Sequence, residues 1–314
     1  MTLDAKAADK LSKGWYGERI DRSDCEYLLT FRDKSSESNL AVSLANRLMH
    51  KACSDVGQIC AEIEVRNDDF DITDSTLARY AEELGSFSDV RSIKLTTGNE
   101  ADIDSLCEQV EIVKGSARRG TRIYIGTRDL DVEECRMLKS AGAFGAYHPI
   151  RMDIDMGAKK EKRLKTISNL TSCGLSVISS VGPIGPEHET KDIVEDFYTL
   201  LESRCAGVEI SAREPGAFSK PNQMGKITPA RLAQFRAVFT LASSWYIQPV
   251  RNAFPGTFVQ NQNRVTVKYD AATGKSQLEA ARRKLFNSGL DRILKTDDST
   301  VELNLMYLRQ TGSV

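Results

Sequence analysis

The sequence predicts an α/β protein built as a parallel (β/α) barrel, partial or closed and TIM-like, with a helical cap before it and an α+β appendage after it. Three observations predict this. From Gln58 onward, short β-rich runs alternate with amphipathic segments, the pattern of βα units feeding a parallel sheet. The runs begin at Gln58, Ser92, Thr121, Gly145, Leu175, Gly207 and Trp245, an even spacing that fits repeated right-handed crossovers. No GxGxxG follows the first of them, which favours a barrel over a dinucleotide-binding sheet.

The expected division is 1–55 for the helical cap, 56–255 for the barrel and 256–314 for the appendage. In the cap, Cys25–Phe31 and Leu40–Ala52 carry apolar residues at helical spacing around the polar turn Asp33–Glu37. Seven strands follow, at Gln58–Val65, Ser92–Thr96, Thr121–Gly126, Gly145–Arg151, Leu175–Val181, Gly207–Ala212 and Trp245–Val250. The helices between and after them fall at Asp74–Leu84, Ala101–Val113, Val132–Ala141, Glu161–Cys173, Lys191–Glu202 and Pro229–Ala242. Gly85, Gly115, Gly142 and Gly174 follow helical runs, where a left-handed C-cap wants glycine. Thr228 ahead of Pro229, and Thr73 or Asp74 ahead of Leu77, read as N-terminal caps. In the tail, Thr257–Tyr269 alternates like a hairpin strand, Ser276–Leu285 reads as a helix and Val301–Leu308 as a last strand.

Composition excludes several classes. With 314 residues, 40% hydrophobic and 28% charged, the chain is globular rather than disordered. Its 43 Lys and Arg balance 44 Asp and Glu, so no overall field favours nucleic acid or an anionic membrane as a partner. The sequence contains no apolar run of membrane-spanning length, and Met1–Lys13 is too charged for a secretory signal; a cytoplasmic location is expected. Seven scattered cysteines make no disulfide framework. Cys53 and Cys60 are too far apart for a zinc knuckle and read as small buried hydrophobes.

In a parallel barrel, ligands bind at the carboxyl ends of the strands. The residues there are polar: Arg66–Asp69, Thr97–Glu100, Thr127–Asp129, Arg151–Asp155, Gly182–Gly185, Arg213 with Glu214, and Arg251 with Asn252. A small molecule bearing carboxylates and hydroxyls suits that mixture. Arg128, His148, Arg213, Glu214, Arg251 and Asn252 are the candidate substrate-binding residues; no catalytic residue is assigned. His148 reads more readily as a satisfied barrel histidine than as a general base. Asp153 and Asp155 share one side of an extended strand but lack a third ligand, so no metal is expected. Lys114–Arg122 and Lys159–Arg163 read as solvated basic faces. Lys94, within the second strand, faces either the barrel interior or the helix layer. Glu187, His188 and Glu189 form a loop without an assignable chemistry.

The order of four segments, SIKLTTGNE at Ser92–Glu100, RIYIGTRDLDVEECRMLKSAGAFGA at Arg122–Ala146, YHPIRMDID at Tyr147–Asp155 and RLKTISNLTSCGLSVISSVGPIGPEHET at Arg163–Thr190, resembles the radical S-adenosylmethionine barrels. The similarity is to the branch of biotin synthase, a hydrogenase maturase and methylornithine synthase, and runs over roughly Gly17–Ala242. It implies cofactor-binding roles: Gly98, Asn99 and Glu100 for the amino group of the methionine moiety, Arg151 and Asp153 in an Arg-apolar-acid stretch whose acid contacts the ribose, and Ile184 and Gly185 flanking adenine.

One departure is large. The family holds a four-iron cluster on a CxxxCxxC loop directly after the first strand, three thiolates leaving one iron open. Here that stretch reads RNDDFDITD at Arg66–Asp74, and no cysteine lies between Cys60 and Cys107. The expectation is a protein without an iron–sulfur cluster that binds adenosylmethionine, a derivative or a biosynthetic intermediate, in cofactor or specialised metabolite biosynthesis and without radical chemistry. If it is an enzyme, it is a non-radical lyase or transferase. The alternatives are an ordinary barrel lyase or aldolase, for which Lys94 would be the Schiff-base residue, and a non-catalytic partner of another biosynthetic protein.

Overall fold

A computed structural model of the chain describes residues 3–65, 72–97, 102–126, 128–150, 157–213, 225–246 and 257–290. Seven strands form one sheet in the order β6-β5-β4-β3-β2-β1-β7, and the strand pairs described below are parallel. The chain divides into two compact units, Met1–Cys53, His148–Ile167 and Ile178–Gln262 in the first, Ser54–Tyr147, Ser168–Val177 and Asn263–Val314 in the second. Strand β5 (Ser176–Ile184) and helix α7 (Gly157–Ser172) each contribute to both.

The first unit holds α1 (Ala5–Tyr16), α2 (Arg22–Thr30), α3 (Ser36–Cys53), α8 (Thr190–Glu202), β6 (Gly207–Ala212) and α9 (Pro229–Ala242). Helix α9 starts as the sequence predicts: Thr228 Oγ1 accepts the Arg231 amide at 2.9 Å and Pro229 occupies the first turn. Its residues from Gln234 on are buried nearly all round, which a helix survives only if its polar groups are satisfied. They are. Arg231 donates to the Leu29 carbonyl at 2.7 Å and Gln234 to the Phe31 carbonyl at 3.0 Å, occupying acceptors that the end of α2 leaves open. Phe239 stacks on Phe197 of α8 with centroids 4.2 Å apart. Helix α1 is not among the expected elements, because its buried stripe is only Ala7, Leu11 and Gly14. A methyl group on Gly14 would sit 2.8 Å from Leu241 Cβ, so close packing replaces apolar bulk there.

The second unit holds β1 (Gln58–Glu64), α4 (Asp74–Gly85), β2 (Val90–Thr96), α5 (Ile103–Ser116), β3 (Arg122–Gly126), α6 (Val132–Ala141), β4 (Gly145–Tyr147), β7 (Arg264–Lys268) and α10 (Gly274–Asn287). Register sorts its side chains. Ala61, Ile93 and Ile123 align across β1, β2 and β3, as do Ile63, Leu95 and Ile125, and all six are buried. The alternate positions, Cys60, Ser92 and Arg122, then Glu62, Lys94 and Tyr124, give the opposite face a polar lining. Gly142 caps α6 at a φ of 109°, the left-handed turn expected of it. Gly85 and Gly115 instead lie inside their helices. At Gly85 the reason is the approach of the Arg118 amide, 2.8 Å from where a Cβ would stand.

Three expectations are corrected. Ser244–Tyr246 is a 3-10 helix rather than the start of a strand, since the Ser243 and Ser244 hydroxyls turn back to the carbonyls of Phe239 at 2.8 Å and Gly14 at 2.6 Å; residues 247–250 lie outside the described ones. Thr257–Tyr269 is not a hairpin strand: Arg264–Lys268 pairs in parallel with β1. Strand β4 stops at Tyr147, so His148 lies past its end. Val301–Leu308 lies outside the described residues.

Candidate functional site

In the first unit, the end of β5 is built around Gly185. Its amide donates to His188 Nδ1 at 2.8 Å, and Arg213, one residue past β6, donates its amide to the Ile184 carbonyl at 2.9 Å. The Arg213 guanidinium is paired with Glu187. Burial alone would raise the Glu187 carboxyl, but the Arg213 hydrogen bond, a backbone hydrogen bond and the charges of His188 and Arg213 together hold the group below its ordinary value. A side chain at Gly185 would collide with that pair, its Cβ only 2.6 Å from Arg213 Nη1. The glycine therefore has a reason independent of any ligand. Ile184 is fully buried. Glu187 and His188 thus lock the strand end.

In the second unit, the polar face converges on Lys94. Its ammonium lies 3.3 Å from Glu62 Oε1 on β1 and 4.0 Å from the centre of the Tyr147 ring on β4. Strands β1 and β4 are separated by β2 and β3, so one amine meets both only because this face is concave. Gly126 on β3 leaves the passage: a Cβ there would stand 3.2 Å from Lys94 Cε. Beside Glu62, a cavity of about 460 Å³ opens at the carboxyl ends of β1 and β7, lined by Glu62, Glu64, Lys268, Tyr269 and Asp270 and by Ile72, Thr73, Thr76 and Tyr80 at the start of α4. Thr73 caps that helix, its Oγ1 accepting the Thr76 amide at 3.3 Å. Asp270 is held below the ordinary carboxylate range by hydrogen bonds from the Thr273 hydroxyl and amide, so it stays anionic at the rim.

Among the sequence-predicted residues, Gly98, Asn99, Glu100, Arg151, Asp153, Glu214, Arg251 and Asn252 lie outside the described ones. Ile184, Gly185 and Arg213 come together as expected of strand ends. Arg128 is tied to its own segment, 2.5 Å from Glu134 and 3.0 Å from the Asp129 carbonyl. His148 is buried, its amide donating to Ile178 at 2.9 Å and its carbonyl accepting the Ser179 hydroxyl at 2.8 Å. The basic run at Lys159–Arg163 is not simply solvated: Lys160 pairs with the buried Asp196, and Arg163 donates to the Pro149 carbonyl at 2.6 Å. Sequence reasoning missed Glu62, Glu64 and Lys268. Alternation in QICAEIE marks the first two as one face of a strand, but Lys268 becomes a neighbour of Glu62 only through the pairing of β7 with β1.

All seven cysteines are described. Cys25, Cys53, Cys107 and Cys135 are on helices, Cys173 directly follows α7, Cys205 precedes β6, and Cys60 is third in β1 and fully buried. None stands at the carboxyl end of a strand. No helix among the described residues is long and apolar enough to cross a membrane.

The fold defined by these elements is a parallel (β/α) barrel of the TIM-like class. Solved structures of a methylornithine synthase and of FeFe-hydrogenase maturases superpose on it. Methylornithine synthase (PylB) superposes with a TM-score of 0.66 at 13% identity, over 94% of this chain and 99% of its own. The FeFe-hydrogenase maturase HydG from Carboxydothermus hydrogenoformans gives 0.60 at 11%, over 96% and 92%. Another HydG structure gives 0.65 at 14%, over 78% of this chain, which spans 62% of that one. At such identities the likeness establishes the fold alone. No protein-family profile and no curated protein matches the chain.

Proposed function

We propose that this protein is a radical-adenosylmethionine-type barrel without a cluster. In this reading it binds adenosylmethionine, a derivative or a biosynthetic intermediate at the carboxyl ends of its strands and serves cofactor or specialised metabolite biosynthesis by polar rather than radical chemistry. One observation carries the reading: the chain keeps the fold of methylornithine synthase over nearly its whole length, while its seven thiols all stand away from the strand ends where a cluster would be held. Gly98, Asn99, Glu100, Arg151 and Asp153 supply the polar contacts to the ligand, and Ile184 with Gly185 the apolar edge for adenine. Partnership with another biosynthetic protein is compatible with this role.

The test has two parts. Protein prepared anaerobically with iron and sulfide donors is expected to stay colourless and free of stoichiometric iron. Calorimetric titration with adenosylmethionine, adenosylhomocysteine and methylthioadenosine is expected to give binding near micromolar that Glu100→Gln and Asp153→Asn each weaken about tenfold, the loss of one charge-assisted hydrogen bond. A brown, iron-loaded protein, or no binding of any of the three, overturns the reading.

A further inference from the structure

We propose that Lys94 is an amine nucleophile that forms a Schiff base with small carbonyl compounds entering the cavity beside Glu62. Four observations carry this. Lys94 lies two residues before the end of β2, on the concave polar face of the second unit rather than toward the helices. Its side chain is only 12% exposed, yet its amine stands 3.3 Å from the carboxylate of Glu62, itself 18% exposed. That carboxylate lines the cavity of about 460 Å³ at the strand ends. In register, Glu62 stands opposite Lys94 on one side and Lys268 on the other, which places its carboxylate to shuttle a proton between the Lys94 amine and a carbonyl compound in the cavity.

The chemistry balances within these residues. Glu62 takes one proton from the Lys94 ammonium; the neutral amine attacks the carbonyl carbon, forming the C–N bond. Glu62 then returns its proton to the carbinolamine hydroxyl, the C–O bond breaks, and water leaves behind a protonated imine. No electron is gained or lost. Lys268, lining the same cavity, pairs with an anionic group on the carbonyl compound, which selects keto acids over neutral ketones.

The experiment uses the full chain with pyruvate or glycolaldehyde as probe and sodium cyanoborohydride to reduce the imine, read by peptide mass mapping. Lys94 is expected to be labelled at least about tenfold faster than Lys275, whose side chain is 76% exposed. Glu62→Gln is expected to slow labelling about tenfold or more, and Lys94→Arg to abolish the fast adduct with an unchanged circular dichroism spectrum. Labelling of Lys94 no faster than of Lys275, no adduct at all, or an unaffected rate in Glu62→Gln overturns the proposal; mapping the unmodified sequence decides even if Lys94→Arg misfolds. The inference is independent of adenosylmethionine binding, so a chain that labels at Lys94 but binds no adenosyl ligand sinks only the earlier reading.

Discussion

Replacing Asp89 by alanine strips a buried guanidinium of its counter-charge. Arg282 on α10 is 5% exposed and Asp89, just before β2, is 3% exposed. Arg282 Nη2 reaches Asp89 Oδ1 at 2.7 Å, Nε bonds the other carboxylate oxygen, and the guanidinium lies 5.3 Å from the Phe87 ring. Truncating one partner of such a pair leaves an uncompensated charge out of water, which costs about 3–5 kcal/mol. Glu279, 2.6 Å from Nη1 but 39% exposed, compensates only partly, so Asp89→Ala should lose about 3 kcal/mol. On the usual scale of about 2–4 °C per kcal/mol this is a drop of about 6–12 °C in Tm. Far-UV circular dichroism is the right probe, because both tryptophans, Trp15 and Trp245, belong to the first unit. Replacing both partners with leucine should recover most of the loss, since well-packed apolar pairs often match a buried ion pair. A loss below about 0.5 kcal/mol for Asp89→Ala would mean that the pair behaves like an exposed one and that α10 is not anchored to β2 through it.

Two further perturbations test the packing and electrostatics. Gly145→Ala should destabilise by about 1–3 kcal/mol, because the new methyl collides with the Ser176 carbonyl and stands 2.9 Å from Tyr124 Cε1; an unchanged denaturation midpoint would place β4 and β5 wrongly. The Arg128 hydrogen bond holds the Glu134 carboxyl below its ordinary 4.5, so its contribution to stability is present above that pH and is lost as pH falls through the lower folded value. Arg128→Ala should therefore lose stability at pH 7 but little at pH values below the folded one, and equal losses at both would show that Arg128 acts by packing rather than charge.

The barrel was legible in the sequence because its signals are local. Val132–Ala141 and Pro229–Ala242 begin where their Asp131 and Thr228 caps put them, since a capping side chain and the amide it accepts are only three residues apart. The site was less legible. Alternation alone left Lys94 facing either way; the register of β1 with β2 assigns it to the concave face. The family resemblance makes Gly185 a ligand position; its close approach to Glu187 and Arg213 is visible only in space.

The sequence by itself determined the α/β class, most helix and strand positions, and the lack of cysteines between Cys60 and Cys107. Each of these depends on residue identity and short-range spacing. Only the tertiary structure decided that RVTVK at Arg264–Lys268 joins β1 in parallel, that Trp245 belongs to a 3-10 turn, and that Glu62, Lys94, Tyr147 and Lys268 share one concave face. Those facts depend on which strand lies beside which, and a β-strand's own residues specify its two faces but not its neighbours.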